Sequence, residues 1–290
     1  MNGVWPAALT MFGADERLDE DATAAHLDRL IADGAHGLVV GGTSGEFVAL
    51  TDLERQRLLE VAIETAAGRV PILAGTGAYG TARTVALTRH AEAAGAAAAL
   101  VVLPYFQRPS RREILGHYRT VAAATALPLW VYNIPANAAV EALSTADLTR
   151  LHQEGVAAGV KSTLPTVHQI HELLDATGES FRVFYGGFTA PLEALAGGAH
   201  GWISGLLNVV TADAVALRES VLAGDLPKAR AQWARLLPFR RLVTDPVVPG
   251  AGDLAIYRGL LRIWGRPAGY CRPPLRDLDA AELAILEKSL

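Results

Sequence analysis

The sequence predicts an α/β protein: a (β/α)8 TIM barrel with a C-terminal helical extension. Three observations carry this. Eight short apolar, β-branched runs alternate with longer segments of helical spacing as far as about residue 223, the order that builds a parallel sheet. The runs show little polar alternation, as expected of strands covered on both faces. The chain has 290 residues, enough for the ~250 of eight strand-helix units plus a remainder.

The predicted strands run from Val4 to Ala8, Gly37 to Val40, Val70 to Ala74, Ala98 to Leu103, Leu129 to Asn133, Val156 to Lys161, Arg182 to Tyr185 and Gly201 to Ser204. Between them, sets such as Leu53, Leu58, Leu59, Ala62 and Ile63, or Ile114, Leu115, Tyr118, Val121 and Ala122, recur at helical spacing. Thr51 with Glu54, and Ser110 with Glu113, have the spacing of a capping box, in which side chains satisfy the free amides of a first turn. Three further helices are expected over Pro227 to Leu242, Ala251 to Ile263 and Ala280 to Leu290. No Ser/Gly-rich linker sets them apart, so residues 1–223 read as the barrel and 224–290 as an extension packed on it.

A doubly wound open sheet is the alternative product of the same alternation. Gly75-Thr76-Gly77-Ala78-Tyr79-Gly80 matches G-x-G-x-x-G between a strand and a helix. It falls in the third unit, however, and no acidic residue ends the following strand to hold a ribose. It reads instead as a tight turn rich in residues that tolerate positive φ.

Composition excludes several classes. With 26 basic and 30 acidic residues and a net charge of -4, the chain has no broad cationic field for phosphate backbones or anionic lipid, so neither nucleic acid nor membrane is an expected partner. The most apolar run, Ala93 to Phe106, is broken by Gly95 and Pro104 and falls short of the ~20 residues of a membrane span. Cys271 is the single cysteine, which suits a reducing, cytoplasmic setting. The eight histidines form no metal signature: His168 and His171 share a helix face, but no H-E-x-x-H or carboxylate cluster supports them, and no metal is expected. No G-x-S-x-G elbow is present.

The lysines are more informative. Only Lys161, Lys228 and Lys288 occur, beside 23 arginines. The last two lie in polar, solvated stretches, whereas Lys161 closes the apolar segment Val156-Ala157-Ala158-Gly159-Val160, where an ammonium loses hydration. Burial favours the free amine, and a free amine condenses with ketones to a protonated Schiff base, an electron sink for breaking or forming a neighbouring bond. In a barrel the chemistry sits at the C-terminal strand ends. Lys161 on strand six, Tyr132 on strand five and Gly41-Gly42-Thr43-Ser44-Gly45-Glu46 after strand two would converge there. The glycine-rich loop offers backbone N–H groups and two hydroxyls, suited to a small carboxylate. It lacks the Gly-Lys-Ser/Thr of a P-loop, and Glu46 is expected to order it as a structural acceptor.

Taken in order, Ala8-Leu9-Thr10-Met11-Phe12, Gly42-Thr43-Ser44-Gly45-Glu46, Pro104-Tyr105-Phe106, Tyr132-Asn133-Ile134-Pro135, Gly159-Val160-Lys161-Ser162-Thr163 and Arg272-Pro273-Pro274-Leu275 resemble the dihydrodipicolinate synthase / N-acetylneuraminate lyase family of class I pyruvate aldolases. The resemblance implies a barrel with a C-terminal helical extension, assembled as a homotetramer of tight dimers or as a homodimer. It also implies Lys161 as the Schiff-base lysine, Tyr132 as the proton relay with Thr43, and Thr43, Ser44 and Gly42 as the carboxylate site. Ile203 falls where the family places a backbone carbonyl near substrate, and Gly186 follows strand seven beside the pocket. No cofactor is implied beyond the covalent imine.

Three departures concern the second substrate. Asn137 stands where the synthases usually carry an arginine for the carboxylate of aspartate semialdehyde, and a bidentate partner is thereby lost. Phe106 stands where they donate a second tyrosine across the tight dimer. Gly187, Phe188 and Thr189 stand where sialic acid lyases bind a sugar tail. The sequence therefore reads as a Schiff-base lyase or aldolase of a small 2-oxo acid, pyruvate as donor or product, whose aldehyde partner enters over Asn137, Phe106 and Phe188. Alternatives are the synthase itself, a 2-keto-3-deoxy acid dehydratase or aldolase, and a non-catalytic barrel that binds a 2-oxo acid.

Overall fold

The computed structural model describes residues 1–290. In chain order the elements are β1 (Gly3–Pro6), α1 (Glu20–Ala32), β2 (Leu38–Val40), α2 (Asp52–Ala66), β3 (Ile72–Gly75), α3 (Thr81–Ala94), β4 (Ala98–Val102), α4 (Arg111–Ala122), β5 (Leu129–Asn133), α5 (Pro135–Ala138), α6 (Thr145–Gln153), β6 (Gly159–Ser162), α7 (His168–Thr177), β7 (Arg182–Tyr185), α8 (Pro191–Ala196), β8 (Gly201–Ser204) and α9 (Leu207–Leu222), followed by α10 (Leu226–Thr244), α11 (Asp253–Ile263) and α12 (Ala280–Lys288). The strands run parallel in the order β1-β8-β7-β6-β5-β4-β3-β2. The ring closes between β1 and β2, where Ala8 N donates to Val39 O at 2.8 Å beside an Ala7–Val39 bridge. Sequential neighbours and closure exclude the doubly wound alternative. No helix is long and apolar enough to cross a membrane.

Both expected capping boxes form at the starts of α2 and α4. Two strands start two or more residues later than predicted, each for a local reason. Pro71 has no amide to give a ladder, and β3 begins after it. The amides of Val156 and Ala157 close the end of α6 by donating to Leu151 O, so β6 starts only at Gly159.

The barrel interior is filled from below by aromatic rings. Trp5, Trp130 and Phe184 point inward, with ring centroids 4.9 to 6.1 Å apart, in the spacing favoured by tilted aromatic pairs. Glycine stands wherever a neighbour must yield to them. A Cβ at Gly37 would lie 2.4 Å from Trp5, one at Gly159 2.9 Å from Trp130, and one at Gly201 2.3 Å from Phe184. These rings fill the inner layer directly below Lys161 and Tyr132.

The G-x-G-x-x-G turn has a different cause from the one expected. Gly75 and Gly77 do not occupy positive φ. They are small because a Cβ at Gly75 would lie 2.1 Å from Gly41 O, and one at Gly77 2.6 Å from Val102 N. Close approach of backbone, of the loop after β2 at Gly75 and of the end of β4 at Gly77, demands the glycines.

Candidate active site

Alternation along β6 sends Gly159 and Lys161 into the barrel and Val160 and Ser162 out to the helices. Lys161 is therefore buried, 4% exposed, directly above the aromatic plug. In register it lies between Tyr132 on β5 and Phe184 on β7. No carboxylate pairs with it, and its Nζ lies 4.0 Å from the centroid of the Tyr132 ring. Lys228 and Lys288 are both exposed. Gly186 leaves room for the lysine stem, since a Cβ there would lie 2.9 Å from Lys161 Cγ and 2.4 Å from Thr163 Cγ2.

Tyr132, also inward-facing, brings its Oη within 3.3 Å of Thr43 Oγ1, a pair in which either hydroxyl can donate. A small cavity opens beside this pair, lined by Gly41, Gly42, Phe47, Gly75, Gly77, Leu100 and Val102. The loop after β2 folds on itself: Gly45 N and Phe47 N donate to Gly42 O, and Glu46 N donates to Thr43 O. The amides of Gly42, Thr43 and Ser44 donate to nothing within the chain. Three successive amides without an acceptor, beside two hydroxyls, offer the donor set that an anion needs. Ser44 lies against the end of β8, where a Cβ at Gly205 would come within 2.6 Å of its Oγ. Ile203, fully buried, belongs to the same inner apolar layer as Trp5 and Tyr132.

The rim residues divide differently. Asn137 is exposed on the single turn of α5. Beside it a surface groove is lined by Arg108, Arg111, Pro135, Ala136 and Ala139. Phe106 does not line the mouth of its own chain. A left-handed backbone, φ 76°, turns its ring outward, 82% exposed. Its neighbour Tyr105 faces the barrel instead, packed edge-on against Phe47 and Tyr79 at 6.0 and 6.4 Å. Phe188 packs on the outer layer with the helices. Its loop is folded back by a Tyr185 Oη–Thr189 Oγ1 bond of 2.8 Å and by Trp202 Nε1 donating to Gly187 O at 2.6 Å.

Glu46 is the structural acceptor expected of it, although its main partner was not foreseen. Its carboxylate accepts from Arg258 Nη2 at 2.7 Å and from the backbone of Arg272 at 3.0 Å. The signal for Arg258 was available: one arginine inside the apolar run Leu254-Ala255-Ile256-Tyr257, Gly259-Leu260-Leu261 poses the same question as Lys161. Cys271 is buried, and desolvation pushes its thiol up to about 11, which leaves little thiolate for reaction.

The dihydrodipicolinate synthetase family model matches residues 1–290, the whole chain. A 4-hydroxy-tetrahydrodipicolinate synthase of Phenylobacterium zucineum is 40% identical over 255 residues, 88% of this chain and 86% of that one. An uncharacterized DapA-like lyase of Halobacterium salinarum is 36% identical across 100% of this chain and 93% of its own. Among solved structures, Escherichia coli K12 YagE, a prophage protein of the dihydrodipicolinic acid synthase family in complex with pyruvate, superposes with a TM-score of 0.90 at 30% identity, covering 99% of this chain and 97% of that one. The dihydrodipicolinate synthase of Aquifex aeolicus gives 0.90 at 30%, covering 99% and 96%. By sequence along its full length and by fold, the chain belongs to the dihydrodipicolinate synthetase family.

Proposed function

We propose that the protein is a class I lyase or aldolase that forms a Schiff base between Lys161 and a small 2-oxo acid, with pyruvate as donor or product. The observation that carries this is a buried, carboxylate-free amine whose Nζ lies 4.0 Å from the Tyr132 ring centroid, at the C-terminal end of a barrel filled below it by aromatic rings. Thr43, Ser44 and the free amides from Gly42 onward hold the 2-oxo acid carboxylate. The amine adds to the C2 carbonyl, the carbinol oxygen leaves as water, and a protonated imine remains. Loss of a proton from C3 gives the enamine, which attacks an aldehyde carbonyl, and hydrolysis then returns Lys161. Tyr132, paired with Thr43, carries protons to and from these oxygens. Ile203 supplies a backbone carbonyl near the pocket, and Gly186 keeps the lysine stem unobstructed. No metal or organic cofactor takes part.

The aldehyde reaches the mouth past Asn137, which offers an amide rather than a guanidinium. A small, modestly polar acceptor is the substrate class this favours. The synthase reaction is the second reading, favoured by the name of the 40% identical relative. Reduction with borohydride in the presence of pyruvate should leave a stable adduct on Lys161, located by peptide mass. Absence of the adduct overturns the proposal. An aldehyde panel that includes aspartate semialdehyde, read as pyruvate consumed, separates the two readings.

Exposed Phe106, Tyr79, Val48 and Leu53 all lie on or just after the loops that follow β2, β3 and β4, on the same end of the barrel as the site. A second copy of the chain covers them, in a dimer or a tetramer of dimers in the cytoplasm. Sedimentation should give a dimer or larger species, and Phe106→Glu should shift it toward monomer. A wild-type monomer at micromolar concentration refutes this assembly.

A further inference from the structure

We propose that Arg258, on α11, is a positioning residue for the carboxylate site. It acts through Glu46 to hold the free amides and hydroxyls of residues 42–44 in place, so that the C-terminal helices complete the active site. This rests on the role of Thr43 and Ser44 proposed above. Arg258 and Glu46 are the most deeply buried ion pair in the chain, with side chains 0% and 2% exposed and Nη2 to Oε1 at 2.7 Å. The same Nη2 donates to Thr10 O at 2.8 Å, and Thr10 Oγ1 donates to Gly45 O at 2.7 Å. Nη1 donates to Ala268 O. The second carboxylate oxygen of Glu46 takes the amide of Arg272, whose guanidinium donates to Ala49 O at 2.7 Å. The loop from Gly42 to Ala49 is thus gripped at Gly45, Glu46 and Ala49 from outside the barrel.

Two physical points make this more than scaffolding. Glu46 holds a left-handed backbone, φ 54°, which a residue with a Cβ keeps only when its surroundings impose it. A buried ion pair is also a poor source of stability, since apolar residues of similar volume often serve as well or better. What the pair supplies that an apolar contact cannot is direction. The carboxylate must point at one guanidinium, and this fixes the turn that aims the amides of residues 42–44 at the substrate.

The test is the double variant Glu46→Leu with Arg258→Met, which removes both charges and keeps the volume. Borohydride trapping is titrated with pyruvate in wild type and variant. The expected result is a rise of about tenfold or more in the half-saturating pyruvate concentration, since a misplacement of ~1 Å can cost up to about 10²-fold, with the Lys161 adduct still reached at saturation. An unchanged half-saturation in a folded variant overturns the inference, and the pair is then structural only. A wild type that gives no adduct overturns the imine reading instead, so the two failures are distinct. Should the double variant not fold, Glu46→Gln decides: it keeps the shape and one hydrogen bond, and half-saturation within twofold of wild type refutes the proposal.

Discussion

Replacing Lys161 with methionine is expected to lower turnover by about 10⁴-fold or more, the scale of losing a covalent nucleophile, and to abolish the borohydride-trapped adduct without loss of fold. The two halves of this expectation have one cause. Lys161 sits inside the barrel, 4% exposed, where an ammonium gives up most of its hydration and gains no carboxylate in return. Its one favourable partner is the Tyr132 ring, a contact worth about 0.5 to 2 kcal/mol. Methionine fills the same channel between Gly186 and Phe184 with no charge to desolvate, so Tm should equal or exceed that of wild type. A residue retained at a cost to stability and indispensable to turnover is the signature of a functional group. A Lys161→Met enzyme with turnover within tenfold of wild type would remove the imine from the mechanism. A large fall in Tm with proportionate loss of activity would make Lys161 a packing residue.

Much of this was legible in the sequence because it depends on local pattern. Their places at the C-terminal ends of strands five and six put Tyr132 and Lys161 at the barrel mouth, and the scarcity of lysine singled out the one within an apolar run. The capping boxes at Thr51 and Ser110 followed from spacing alone. What escaped depends on register and on distant partners. Gly75 and Gly77 looked like conformational glycines, yet Gly75 lets the loop after β2 approach and Gly77 lets the end of β4 approach, contacts set by strand order. Likewise Gly37, Gly159 and Gly201 become intelligible only once Trp5, Trp130 and Phe184 are seen to occupy the space beside them. Phe106 is expected at the pocket rim through its match to a tyrosine that the family donates across the tight dimer, and a single chain shows only that its ring points away from its own barrel. With φ at 76°, Phe106 faces outward while Tyr105 packs inward on Phe47.

Acidification should destabilise the fold well before its carboxylates titrate, because two histidines are buried as neutral rings. His26 is fully buried between α1 and α9 and donates from Nε2 to Asn208 Oδ1 at 2.8 Å. That oxygen also accepts from Leu9 N at 3.0 Å, while Asn208 Nδ2 donates to Ala7 O and Gly205 O. The amide orientation is thereby set, and the proton of His26 must be on Nε2. The other ring nitrogen lies 3.4 Å from Arg29 Nη2, so a second proton would meet a guanidinium. Desolvation, reinforced by Arg29, lowers the His26 pKa to about 3, and desolvation lowers that of His117 to about 4. Burial shifts His36 and His200 in the same direction.

In each case the folded state binds the proton more weakly than the unfolded chain, whose histidines titrate near 6.5. The stabilisation is therefore complete above pH 6.5 and is lost as pH falls below it. At 1.36 kcal/mol per unit, His26 and His117 each forfeit about 2 kcal/mol near pH 5, together about 4 kcal/mol, a large share of a typical folding free energy of 5–15 kcal/mol. Glu54 cannot mask this, because Arg272 and Thr51 hold its pKa down to about 2, and its contribution declines only below pH 4.5. Urea unfolding near pH 7.5 and near pH 5 should show the midpoint falling steeply, and His117→Phe should remove about half of the pH dependence. A midpoint that is level between those two values would mean that one or both rings are protonated in the native state, against the burial of His26 and the Arg29 guanidinium facing its Nδ1.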